Sequence, residues 1–165
     1  MKKIILLAIL TTINVSLIAQ NKLGYIDSQE LLMLMPERNS AEKEVQEFAK
    51  SLEAQLTSMT AEYQQSVQNY QANEATFTDL VKQDKIAEIT GLEQRIQAFQ
   101  QNAQQSIVAK EQELLEPILE KARTAIEEVA DEGNFTYIFD KSIGSIVFAK
   151  ESENVLPLVK KKLGL

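Results

Sequence analysis

The sequence predicts an α+β protein that is mostly α: a small β-rich body from which a long antiparallel helical hairpin projects. Three observations lead there. The 165 residues include only 5 Gly and 3 Pro, too few for a turn-rich all-β domain. Two long stretches carry apolar residues that recur every eleven positions. Three turns per eleven residues is about 3.67 residues per turn, which suits straight or slightly right-handed helix pairing rather than a left-handed heptad coil. Outside those stretches, segments rich in aromatic and β-branched residues read as short strands.

The chain opens with a secretory signal peptide over residues 1–20. Lys2 and Lys3 form a positive start, residues 4–10 are an unbroken apolar run, and Ala19 supplies a small residue for cleavage after Ala19 or Gln20. No Cys follows, so a lipid anchor is not expected. Losing Lys2 and Lys3 takes the formal charge from −7 to −9. No later segment approaches the roughly 20 consecutive apolar residues of a membrane-spanning helix. The mature chain is therefore expected to be exported and without stable membrane insertion.

Residues 22–27, Lys-Leu-Gly-Tyr-Ile-Asp, read as a strand. Asp27 or Ser28 then caps a short helix through Leu31, Leu32, Met33 and Leu34, which Pro36 stops or follows with a new helix. No Gly or Pro occurs from residue 37 to 72. Three columns step by eleven there: Ala41, Leu52, Tyr63; Val45, Leu56, Val67; Phe48, Met59, Tyr70. Short polar side chains in residues 73–80 predict a turn. A second helix is expected from about 79 to 132, with columns Leu92, Ala103, Leu114, Ala125 and Ile96, Ile107, Ile118, Val129. Matched periods on successive helices predict an antiparallel hairpin. A helix of about 36 residues is about 54 Å long, more than a compact domain of this size can bury along its length. Gly91 weakens the second helix by about 1 kcal/mol relative to Ala, and Pro117 predicts a bend where the arm leaves the body.

Gly133 is expected just past the helix end. Residues 135–139 read as a strand with Phe135, Tyr137 and Phe139 on one face and Ile138 on the other, followed by a turn at 140–144 and a second strand at 145–149. Residues 154–163 predict a closing helix, with Asn154 as cap, Pro157 in the first turn, Gly164 after the end, and Lys160, Lys161 and Lys162 where cations suit the helix dipole. The body is thus residues 22–36 with 118–165, and the arm is 37–117. So small a body is marginal alone, and apolar strand edges invite pairing with another chain. Oligomerisation through the bodies is expected; a monomer with the hairpin folded back is the other possibility.

The residue inventory narrows the chemistry. There is no Cys, His or Trp, so zinc-finger, iron–sulfur, blue-copper and haem-histidine sites are excluded, as are Cys–His and Ser–His–Asp machinery. The acidic balance argues against nucleic acid, and neither phosphate-binding Gly motif is present. Glu127, Glu128, Asp131 and Glu132 read as a solvated face or as partners of Lys160, Lys161 and Lys162 rather than a calcium site. Asp27 and Asp140 read as capping and turn residues rather than a catalytic carboxylate pair. No catalytic residue, metal or cofactor is expected, and no enzymatic activity. The arm is mostly neutral and polar: residues 51–110 hold twelve Gln, seven acidic and four basic residues.

The order of signal peptide, Leu-Gly-Tyr-Ile-Asp-Ser strand (residues 23–28), Gln-rich helical hairpin, Phe-Thr-Tyr-Ile-Phe-Asp strand (135–140), Ile-Val-Phe strand (146–148) and short terminal helix resembles the Skp/OmpH family of periplasmic chaperones. The resemblance covers the mature chain and is most specific over residues 23–28 and 130–148. It implies a jellyfish-shaped homotrimer with helical tentacles around a cavity, and ATP-independent holding of unfolded outer-membrane β-barrel proteins. On that reading Tyr63, Val67, Tyr70, Phe77, Leu80, Ile89 and Phe99 are candidate client contacts. Leu23, Tyr25, Ile26, Phe135, Tyr137, Phe139, Ile146 and Phe148 are candidate trimer contacts. One departure matters: the best-known members are strongly basic, whereas this chain is acidic, so no electrostatic grip on acidic clients or lipopolysaccharide is carried over. A coiled-coil adaptor or spacer with a fixed envelope partner is the alternative.

Overall fold

The computed structural model describes residues 21–165, so the signal peptide assigned to residues 1–20 lies outside the described residues. The chain runs through β1 (Leu23–Ile26), α1 (Ser28–Leu34), α2 (Pro36–Asn73), a 3-10 turn (Glu74–Thr76), α3 (Asp79–Glu132), β2 (Tyr137–Asp140), a second 3-10 turn (Glu151–Glu153) and α4 (Leu156–Leu163).

Local chemistry sets each boundary. The Asp27 carboxylate caps α1 by accepting the Glu30 N–H at 3.0 Å. Met35 is extended (φ −75°, ψ 122°) because the following Pro36 disfavours helical geometry there. Pro36 then opens α2, where its missing N–H costs nothing. At the far end Thr78 caps α3 through the Val81 N–H. At 38 and 54 residues, α2 and α3 are about 57 and 81 Å long. Helix α3 continues unbroken through Pro117.

Gly133 follows the last residue of α3 directly, as expected. The left-handed residue is Asn134 (φ 52°) and not Gly133. Phe135 N–H bonds the Ala130 carbonyl at 2.9 Å and Asn134 N–H bonds that of Asp131 at 3.2 Å, a Schellman ending. Gly133 is required for space instead, since a Cβ there would lie 2.5 Å from the Phe135 ring.

Three expectations about the strands are corrected. The strand begins at Tyr137 rather than 135, and residues 145–149 form no strand. β2 pairs with β1, in parallel, with Leu23 opposite Tyr137 and Tyr25 opposite Phe139. Parallel neighbours need a long crossover, and here the crossover is the entire hairpin. On the other edge of β1, Val155 N–H bonds the Tyr25 carbonyl at 2.9 Å. Phe135 does not share a face with Tyr137 and Phe139: the Asn134 reversal turns it inward, where it packs with Ile138 against the core. The core joins Ile26, Leu31 and Met35 to Ala41, Ile118, Ala122, Ala125 and Val129 from the base of the hairpin, and Val155, Leu156 and Val159 from the closing segment. Helix α4 ends at Gly164 in left-handed geometry (φ 74°), with Lys162 paired to Glu128 at 3.0 Å and Glu132 at 2.6 Å.

Candidate functional site

Two surfaces qualify: the arm, and the outer face of the body. In the arm, the eleven-residue columns face the seam between α2 and α3, with Ala41 and Leu92 buried and Leu52, Leu56, Met59, Ile96, Ala103 and Ile107 half-buried. Ion pairs across the seam fix its antiparallel register: Glu37 with Lys121, Glu44 with Lys110 at 2.8 Å, and Glu62 with Arg95 at 3.6 Å. The Glu44 and Glu113 carboxylates hold the Lys110 pKa above the usual lysine value. Packing is thin. Between Ala41 and Ile118, Leu92 is the one buried side chain of the two helices, so the distal arm is held by half-covered contacts and opens more readily than the body.

The candidate client contacts divide accordingly. Tyr63, Val67, Tyr70, Phe77, Ile89 and Phe99 are half-buried, with the Tyr70 and Phe77 rings 6.3 Å apart at the tip. Leu80, 69% exposed, is the one that stands open. The residues missed by sequence reasoning are the other exposed apolar groups, among them Ile86, Val108 and Leu119 on α3 and Met33 and Leu34 on α1. A signal for part of this set existed: Ile86, Val108 and Leu119 also differ by multiples of eleven.

On the body, the sheet presents Leu23, Tyr137 and Phe139 to water, with the two rings 6.0 Å apart. Beside them, residues 145–149 line an open groove of about 570 Å³ together with Leu23, Gly24, Tyr25, Phe139 and Glu153. Val147 is 100% and Phe148 82% exposed, while Ile146 is half-buried. No backbone N–H or C=O of residues 145–149 finds a backbone partner among the described residues. Tyr25 and Ile26 lie within the chain's own core and Phe135 packs against it, so of the eight candidate trimer contacts only Leu23, Tyr137, Phe139, Ile146 and Phe148 offer outward surface.

Two carboxylates moor the loop that carries these residues. At its start, Asp140 accepts from the Ser28 hydroxyl, the Ser28 N–H at 3.2 Å and the Ser142 N–H at 2.9 Å. Partial burial pushes the Asp140 pKa up, but these hydrogen bonds outweigh it and hold the carboxyl below its ordinary value. At its end, Glu151 accepts from the Asn154 amide at 2.9 Å and the Tyr25 hydroxyl at 3.1 Å, which lowers its pKa likewise. Among the described residues no cluster of three or more acidic side chains is placed to hold a metal ion, and no helix is long and apolar enough to cross a membrane.

A small α/β body carrying a projecting helical hairpin, with apolar surface on both parts, defines the class of architecture. The chain belongs to the outer membrane protein (OmpH-like) family, whose sequence profile matches residues 22–163. Its fold is also similar to the crystal structure of a candidate outer membrane chaperone (OmpH-like) from Caulobacter crescentus, with a TM-score of 0.76 and 15% sequence identity, over 86% of this chain and 83% of that one. No curated protein sequence matches the chain.

Proposed function

We propose that the protein is an ATP-independent holdase of the periplasm that binds unfolded outer-membrane β-barrel proteins and keeps them from aggregating, working as a homotrimer joined through its bodies. The observation that carries this reading is the thin packing of the arm, in which one buried leucine, Leu92, serves the whole distal hairpin. An unfolded barrel protein exposes apolar faces and strand edges. A pliable rod with many partly covered apolar groups meets such a chain through numerous weak contacts, and several rods around one client multiply them by effective concentration. Weak contacts also release without nucleotide. Family membership and the chaperone name of the Caulobacter crescentus relative support the same reading.

Three helical turns can be cut from each rod without disturbing the stripe. The ion-pair register places residues 46–56 opposite 99–109, so deleting both eleven-residue blocks shortens the arm by about 16 Å and leaves the tip, Leu92 and the body intact. Light scattering is measured as a urea-denatured barrel protein is diluted into buffer with mature parent or shortened protein. The parent is expected to suppress aggregation, and the shortened form to suppress it less while keeping its oligomeric mass on gel filtration. Equal protection by both proteins rejects the arm mechanism. No protection by the parent, with a stable one-to-one complex to a fixed envelope protein instead, replaces the holdase with an adaptor.

A further inference from the structure

Helix α3 carries a second apolar line distinct from the one that closes the hairpin. Val108 and Leu119 each follow a seam residue, Ile107 and Ile118, by one position, which sets them about 100° further round the helix. They are 45% and 49% exposed, and Ile86, on the same eleven-residue step towards the tip, is 50% exposed. Near the body the line widens, where Gln112, Leu115, Glu116, Leu119, Glu120 and Arg123 line one open groove. Its charged lining is net negative, two glutamates against one arginine. Arg123 is paired with Glu127 at 2.9 Å, whereas neither Glu116 nor Glu120 makes an ion pair among the described residues. Glu120 also lies near enough to Arg123 to help raise its pKa, so the groove offers apolar side chains and a net negative rim to whatever lies on it.

We propose that this outer line of α3, centred on Val108 and Leu119 and edged by Glu116 and Glu120, is a docking surface for extended polypeptide segments that carry Lys or Arg beside apolar residues. The inference rests on the holdase reading and assigns it a face and a client preference. The apolar contacts supply the grip, and the carboxylates select the flanking charge. The selectivity is the reverse of what a basic tentacle would show.

The test uses the mature full-length protein and two fluorescent peptides with one shared Leu/Val/Phe core, flanked by Lys in one and Glu in the other. Anisotropy titration is expected to give several-fold tighter binding of the Lys-flanked peptide at low salt, a preference that shrinks as salt rises to about 0.5 M. Val108→Gln with Leu119→Gln should weaken that peptide about tenfold, given the apolar area lost. Glu116→Gln with Glu120→Gln should remove the preference and leave the Glu-flanked peptide unaffected or slightly tighter. Equal binding of the two peptides by the parent, or unaltered binding by both double variants, overturns the proposal. So does a changed oligomeric mass in Val108→Gln with Leu119→Gln, which would assign the face to a second copy of the chain. If the parent still suppresses barrel-protein aggregation in any of these cases, the holdase reading survives and this face alone is rejected.

Discussion

At the residue scale, the joint between β1, α1 and β2 depends on one carboxylate. Asp140 gathers three donors from Ser28 and Ser142, two of them backbone N–H groups. Its folded pKa lies below the unfolded value, which is about 3.9. A depressed acid contributes stability that is complete above the unfolded pKa and is lost as pH falls through the folded one. Asp140→Asn keeps one acceptor but sets an amide NH₂ against the remaining donors. It is expected to cost about 1–2 kcal/mol at pH 7. Because the variant has no carboxyl to titrate there, its deficit should narrow between pH 4 and pH 2. Urea midpoints measured at both ends of that range check this, and parallel curves for parent and variant would sink it. Asp140 was legible as a turn residue, since Asp beside Lys-Ser-Ile-Gly has little else to do. The division of labour between Gly133 and Asn134 was not, because it follows from where the Phe135 ring comes to rest.

At the element scale, the hairpin was the most readable part. Its eleven-residue columns carry the seam, and the lengths of α2 and α3 agree with expectation within a residue or two. Long periodic segments average over many side chains, so single exceptions cannot move the pattern. The strands were less readable. A four-residue strand has too few positions to announce its partner, and β1 meets β2 only after a crossover of more than a hundred residues. Residues 145–149 carry strand chemistry, Ser-Ile-Val-Phe-Ala, but find no strand to pair with among the described residues. The Gly91–Leu92 pair tests the arm's weakness from both sides. A Cβ on Gly91 meets nothing within 4 Å, so Gly91→Ala should stabilise the local helix by about 0.5–1 kcal/mol. Leu92→Ala removes the only buried side chain of the distal arm and should destabilise it by about 2 kcal/mol. Amide exchange should slow in the first variant and quicken in the second over residues 52–107, with body protection unchanged. Uniform change over body and arm alike would show that the two unfold as one unit.

At the scale of the whole molecule, the body leaves its most β-prone segment unsatisfied. Among the described residues, five with no backbone partner sit beside exposed Leu23, Tyr137 and Phe139, and β2 keeps a free edge. An isolated two-stranded sheet is marginal in water, and an open apolar edge is a template for another chain. If the bodies join, residues 145–149 of each chain supply the missing strand and bury Val147 and Phe148, the two most exposed large apolar side chains among the described residues. In the single chain these residues make few contacts, so replacing them should leave the fold of one protomer untouched and act on assembly alone. Val147→Asp with Phe148→Asp places two charges where an apolar strand would be buried, a penalty of several kcal/mol per joint. Light-scattering-coupled gel filtration should show the parent at about three times the protomer mass and the variant at one, with circular dichroism unchanged in helix content. The same variant should protect barrel proteins poorly at equal chain concentration, because separate rods lose the shared effective concentration that a common hub provides. A parent that runs as a protomer, or a variant that keeps both mass and protection, would remove the hub from the mechanism and leave the arm to act by itself.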